Sequence, residues 1–180
     1  MRELSLHILD IVENSVKANA LLIEVDIAAK NGYITITIKD NGSGMDKELL
    51  STVTNPFTTT RTTRKVGLGI PLLKMAAENA AGSFNIESEK GVGTVVKASF
   101  LINHIDRVPL GDITETIITL ISAKTDFVWR IAVEDKEFIF DTTEIRKQLD
   151  PVPIDDLEVI GYLKNYIKEN IESIIGGNIL

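Results

Sequence analysis

The chain has 180 residues, 44% of them hydrophobic and 25% charged, with a formal net charge of -7, which is enough apolar material for one good core and a small second one. No apolar run approaches the roughly 20 residues that span a bilayer, and the N-terminal MRELSLHILD lacks the basic-then-apolar order of a signal peptide, so a cytoplasmic protein is expected. With no cysteine and only two histidines, disulfides, thiolate nucleophiles and cysteine zinc sites are excluded, and any metal is expected to be oxygen-bound.

In chain order, Leu6, Leu9, Ile11, Val12 and Val16 follow a helical period from Leu4 to Val16. LIEVDIAA and YITITIK alternate as two strands around Asn31-Gly32, a strong hairpin signal. The periodicity predicts a helix over about 70–80, closed by Gly82 as its C-terminal cap, and SFNIES with TVVKASF forms a second hairpin around Gly91 and Gly93. A seam is expected near LINHIDRVPLGD, where Pro109 and Gly111 interrupt the pattern. Beyond it come a helix near 114–122, two strands in FVWRIAVEDKEFIFDT, and helices near 143–149 and 155–175. The last carries Leu157, Ile160, Leu163, Ile167, Ile171 and Ile175 in one stripe; Trp129 reads as core.

The seam separates two charge regimes. Residues 1–103 carry 11 basic and 11 acidic side chains, whereas residues 104–180 carry 8 and 15. Two parts are therefore expected, 1–103 and a small acidic α/β domain over 104–180. The acidity argues against nucleic acid, since neutralising phosphates takes clustered Lys and Arg, and it suggests a protein-docking module. The fold class expected is α/β, an α+β two-layer sandwich with helices on one face of a mixed, largely antiparallel sheet.

Three stretches carry possible chemistry. In YITITIKDNGSGM, Ile34, Ile36 and Ile38 share a face, and parity places Asp40 on it. Burying an unpaired carboxylate costs several kcal/mol, so either a donor or a ligand awaits Asp40, with Gly42 and Gly44 letting backbone come close to that ligand. The alternative is a sharp turn in which Asp40 caps its own backbone. On the first helix Asp10, Asn14 and Lys17 form one polar stripe. There Asn14 could ligate Mg²⁺, Lys17 meet phosphate oxygens and Asp10 order or deprotonate a water. A solvated face with a Glu13–Lys17 ion pair is the competing reading. In RTTRKVGLGIPLLKM, Gly67 and Gly69 approach a helix with Pro71 in its first turn, a place suited to phosphate. Upstream, NPFTTTRTTRK, with Arg61, Arg64 and Lys65, reads as a lid over that phosphate, against the alternative of a merely disordered loop.

Taken in order, D-I-V-E-N-S-V-K, D-N-G-S-G-M, N-P-F-T-T-T-R, G-L-G-I and G-V-G-T resemble the Bergerat ATP-binding fold of gyrase, heat-shock chaperones, histidine kinases and MutL, over residues 1 to about 101. The resemblance implies ATP and Mg²⁺ as cofactors. It assigns Asn14 to the metal, Asp40 to the adenine amino group, Gly42, Gly44 and Met45 to the first glycine box, and Thr94 to the base through water. Pro56 and Phe57 match the phenylalanine box that opens the lid. Thr60, Arg61 and Arg64 within the lid, and Gly67, Leu68 and Gly69 at the second glycine box, complete the nucleotide-binding set.

Two departures shape the functional expectation. Asp10 stands where hydrolysing members often carry glutamate as general base, one methylene shorter, and Lys17 is what histidine kinases tend to show. With only 13 residues before Asn14, no phosphoacceptor helical hairpin is expected ahead of the ATP domain, and His7 reads as a helix-face or core-edge residue. Two readings stand: an ATP-dependent regulatory switch with slow turnover that engages a protein partner, and a kinase or ATPase that passes phosphate to a separate protein.

Overall fold

The computed structural model describes residues 2–54 and 68–176. The first helix, α1 (Leu4–Lys17), leads into the hairpin of β1 (Leu22–Lys30) and β2 (Tyr33–Asp40). A short α2 (Lys47–Val53) and α3 (Gly69–Asn79) precede a second hairpin, β3 (Phe84–Glu89) and β4 (Gly93–Leu101). Then come α4 (Ile113–Leu120), the strands β5 (Asp126–Val133) and β6 (Lys136–Asp141), and the helices α5 (Thr142–Leu149) and α6 (Leu157–Ile175).

All six strands form one sheet in the order β3-β4-β2-β1-β5-β6. Only β1 and β5 run parallel; the other neighbours are antiparallel. Because side chains alternate along a strand, the register lines up apolar rows that cross the whole sheet. Phe140, Trp129, Val25, Ile38, Val96 and Ile86 make one row, and Phe138, Ile131, Ile27, Ile36, Ala98 and Phe84 the next. On the opposite face the row between them reads Arg130, Asp26, Thr37, Lys97 and Asn85, with Arg130 paired to Asp26 at 2.9 Å and to Glu137 at 2.8 Å. One face is therefore core and the other polar. Against the sheet, α1 lies on β2, α3 on β3 and β4, and α6 on β5 and β6, while α4 joins α1 to α6.

The stretch expected as a seam is woven into the first part. No side chain caps α1, and its Leu4 and Ser5 amides donate instead to the carbonyls of Pro109 (2.9 Å) and Leu110 (2.8 Å). Residues 104–180 thus add two strands to the same sheet, and one continuous core runs from Leu4 to Ile174. Trp129 is fully buried in it.

Several local details differ from expectation. The left-handed residue after α3 is Ala81 (φ 51°) rather than Gly82. Gly82 donates its N–H to the Ala77 carbonyl at 2.9 Å, and a Cβ there would overlap the Ser99 carbonyl oxygen, so close packing is what requires glycine. The helix α2, set by Asp46 accepting from the Leu49 N–H at 2.9 Å, was not foreshadowed by any apolar period. On α6 the stripe enters the core from Leu163 onward, and Leu157 at its head is 85% exposed.

His7 sits in α1 with 2% exposure, and its Nδ1 has no hydrogen-bond partner among the described residues. Burial disfavours the charged imidazolium and lowers its pKa to about 4, from 6.5. Above pH 6.5 the ring is neutral both folded and unfolded. Between pH 6.5 and 4 the unfolded chain takes up a proton that the folded chain refuses, so stability falls with pH across that window, by up to about 3 kcal/mol. Urea denaturation at pH 7.5 and 4.5 should therefore show a distinctly smaller loss for His7→Leu than for the unmodified chain. Equal losses would clear His7 of the effect.

Candidate functional site at the end of the sheet

The apolar rows stop where β2 ends and β4 begins. In the next row Ser88, Thr94 and Asp40 stand directly beside one another on β3, β4 and β2, with Ile23 of β1 beyond them. Three polar side chains thus occupy the core-facing side at the open end of the sheet. Above them lies α1, whose Ser15 is 4% exposed. The Ser15 hydroxyl donates to Asp40 Oδ2 at 2.6 Å, and the Gly42 N–H donates to Oδ1 at 2.9 Å. One oxygen thus meets a waiting donor and the other caps its own turn. Each oxygen retains a further lone pair for a ligand.

The loop that follows is stitched to its surroundings. Ser43 donates to the Ala18 carbonyl (2.9 Å), Gly91 donates to the Ser43 carbonyl (2.8 Å), and Met45 donates to Ser88 Oγ (2.8 Å). Asn41 Oδ1 accepts from the Leu21 and Leu22 amides at 2.8 and 3.0 Å, fixing the start of β1. The close approach that the glycines permit is to the protein's own chain. A Cβ on Gly44 (φ 60°) would overlap the Glu89 carbonyl, one on Gly93 (φ 138°) the Asp40 carbonyl, and one on Gly42 would sit 2.9 Å from the Ala18 oxygen. These glycines shape the site by letting the loop lie tight between α1 and the β3–β4 hairpin.

Toward the other end of α1, a Cβ on Gly69 would overlap Asp10 Oδ2, so the Asp10 carboxylate lies against the first residue of α3. No side chain caps α3, whose N-cap is the exposed Leu68. The free amides and dipole of that first turn favour negative charge. Asn14 is half-buried between Asp10 and Ser15 along the helix. Lys17 is exposed and bonded to Glu13 at 3.2 Å, the solvated-face arrangement. Phe57, Thr60, Arg61, Arg64 and Gly67 lie outside the described residues.

The structure thus brings together Asp10 with Gly69, and Asp40 with Thr94, and adds two residues that sequence reasoning passed over. Ser15 follows Asn14 directly, and Ser88 lies two residues beyond Ile86 on the same strand face, a parity that could have flagged it. A depression of about 400 Å³ shares Asp40, Ser88 and Thr94, but its lining also includes Leu22, Glu24, Lys39, Glu87 and Val95, on the opposite side of the sheet. The convergent polar groups sit on the helix side, which makes that side the candidate site.

Residues 2–104 match the family described as histidine kinase-, DNA gyrase B- and HSP90-like ATPase. A putative sensor protein of Shewanella frigidimarina is 30% identical over 103 residues, which cover 55% of this chain and 16% of that protein. Sporulation kinase C of Bacillus subtilis is 30% identical over 89 residues, 48% of this chain and 21% of the kinase. The chain thus spans about a fifth or less of the length of these relatives. Among solved structures, the N-terminal domain of a DNA repair protein superposes with a TM-score of 0.52 at 16% identity, covering 77% of this chain and 52% of that one; this similarity is one of fold. Since the family match over residues 2–104 takes in more than half of the chain, including α1, Asp40, Gly69 and Thr94, the protein belongs to the histidine kinase-, DNA gyrase B- and HSP90-like ATPases.

Proposed function

We propose that the chain binds Mg²⁺-ATP at the end of the sheet and acts as an ATP-dependent regulatory switch with slow turnover. The observation that carries this reading is the placement of Asp40: an acceptor held by Ser15 and Gly42, opposite Thr94, in the one polar row of an otherwise apolar face. The donor set fits an adenine nucleotide at both ends. Asp40 and Thr94 offer acceptors for the base, Met45 lies beside it, and the uncapped N-terminus of α3 suits the phosphates. Among the described residues no three His, Cys, Asp or Glu side chains cluster to hold a metal. Mg²⁺ would then depend on the Asn14 amide oxygen together with phosphate oxygens, as this ion commonly does, and would supply charge neutralisation there.

Asp10 is the candidate base: its carboxylate lies against Gly69, at the end we assign to the phosphates, where it can order a water. Its short side chain supports slow turnover. Kinship with proteins named as sensor and sporulation kinases favours the second reading, phosphate transfer to a serine or histidine of a separate protein. In either case we assign partner contact to residues 104–180, supported by the exposed, stacked Tyr162 and Tyr166 of α6. Labelled ATP incubated with cell extract separates the readings, since a protein labelled only when the chain is present arises by transfer that depends on it. Among the described residues no helix is long and apolar enough to cross a membrane.

Asp40→Asn should abolish most ATP binding, and Ser15→Ala should weaken it about tenfold by freeing the carboxylate and losing a charge-assisted hydrogen bond of about 1.5 kcal/mol. Calorimetric affinities unchanged in both variants would sink the assignment. Asn14→Ala should weaken Mg²⁺-ATP much more than metal-free ATP; equal losses would remove Asn14 from the metal. For turnover, phosphate release should rise in Asp10→Glu, whose added methylene moves the carboxylate about 1 Å, and barely fall in Asp10→Ala. A rate that collapses in Asp10→Ala without rising in Asp10→Glu would establish Asp10 as an already well-placed base.

A further inference from the structure

The sheet has two edges, β3 and β6, and their solvent faces differ. On that face β3 carries Asn85, Glu87 and Glu89, polar or charged side chains that discourage further pairing. There β6 carries Glu137, Ile139 and Asp141, and Ile139 in the middle is 53% exposed, an apolar end to the row of Arg130, Asp26, Thr37, Lys97 and Asn85. The backbone of β6 is open at the same place. Thr142 Oγ1 accepts the Phe127 N–H at 2.8 Å and donates to the Phe127 carbonyl at 3.3 Å, so Phe127 turns both its backbone groups toward the β6 side. Backbone groups alternate sides along an antiparallel pair, so Trp129 bonds Phe140 and Ile131 bonds Phe138 in the same way. Glu137 and Ile139 therefore direct their N–H and C=O groups away from β5, where no described backbone group meets them. On the core side the Phe138 ring meets Tyr166 edge-on at 5.7 Å, and Tyr166 stacks on Tyr162 at 6.4 Å, so apolar ring surface continues from β6 onto the exposed side of α6.

We propose that β6 is a docking edge that takes up an extended segment of a partner protein as an added strand, and that this segment has apolar residues flanked by basic ones. The proposal rests on the assignment of partner contact to residues 104–180 and deepens it. Main-chain bonds to Glu137 and Ile139 supply affinity, and alternate side chains supply selectivity. Beside Ile139 one base, Arg130, is shared by the carboxylates of Asp26 and Glu137, and Asp141 stands on the same face two residues on. This acidic excess favours Lys or Arg opposite Glu137 and Asp141, with an apolar residue opposite Ile139. The residues between them turn to the core side, where Tyr166 offers its ring. A second copy of the chain fits poorly. Opposed residues of an antiparallel pair share a face, so a two-fold must centre on one residue. Centring on Ile139 sets Glu137 against Asp141 of the other copy on both sides, and centring on Phe138 sets Ile139 against Glu137.

The test titrates the full, isotopically labelled chain with the synthetic peptide Ser-Lys-Val-Ile-Val-Lys-Ser, whose pattern reads the same in both directions, and follows amide shifts and hydrogen exchange by NMR. Shifts should centre on β6 and on Tyr162 and Tyr166, and at saturation the outward amides of Glu137 and Ile139 should exchange about tenfold more slowly. A peptide with Glu in place of both Lys should bind about tenfold more weakly. Ile139→Pro, which removes an outward donor while sparing the bonds to β5, should weaken binding about as much. Ile139→Lys, a change at an exposed position that opposes the basic peptide, should do the same and keeps the test independent of any folding loss in the proline variant. Ile139→Val should retain binding. No binding, shifts within residues 104–180 without protection of Glu137 and Ile139, or an affinity indifferent to peptide charge and to Ile139→Lys would overturn strand docking and leave the wider assignment standing. Shifts confined to residues 2–103 would overturn both. A dimer of the unmodified chain in sedimentation that Ile139→Lys abolishes would also overturn the proposal, since a second copy would then hold the edge.

Discussion

The antiparallel pairing of β2 with β4, which sets Asp40 opposite Thr94, is the constraint on which the site and the core both depend. Side chains alternate strictly along a strand, so a slip of one residue would turn Asp40 to the polar face, carry Lys39 inward and send Ile34, Ile36 and Ile38 out of the core. The apolar rows fix the register, and the register delivers the carboxylate. The candidate site at the sheet's end is therefore held by the same packing that stabilises its middle. The pinned loop between β2 and α2 adds the second boundary, because its glycines allow it to press against the Ala18 and Glu89 carbonyls.

Much of this was legible in the residues. Alternation and helical period name the strands and most helices, and the parity of Asp40 with Ile38 points the carboxylate inward. What escaped was of two kinds. Short elements without a period, such as α2, depend on one cap, Asp46. Partners distant in sequence, such as Ser15 with Asp40 or Ser88 with Met45, depend on register between strands and helix, which a linear pattern does not display. The glycines illustrate the difference: their spacing marks the loop beside Asp40, while what they approach is the chain itself.

The acidity of the second stretch has a physical account in its helices. Asp112, Asp141 and Asp156 are the N-caps of α4, α5 and α6, and Glu115, Glu144 and Glu158 lie in the corresponding first turns. Carboxylates at those positions meet free amides and the positive ends of helix dipoles. Several acidic side chains are also matched by bases, as Glu137 is by Arg130 and Glu115 by Lys164. Much of the charge excess is thus local helix chemistry.

The parallel pairing of β1 with β5 joins residues 22 and 126, at the two ends of a long stretch of chain. During synthesis β1 and β2 can close their hairpin early, but β1 keeps one side of its backbone unpaired until β5 has emerged. A chain cut at the family boundary near residue 104 would leave β1 as a bare edge strand, its Ile23, Val25 and Ile27 stripped of Phe127, Trp129 and Ile131. An apolar, unprotected edge of that kind is a template for pairing with another chain. The added strands β5 and β6 therefore act as a sheath for the nucleotide-binding part, with β6 shielding the apolar centre of the sheet behind a shorter edge that begins with Lys136 and Glu137.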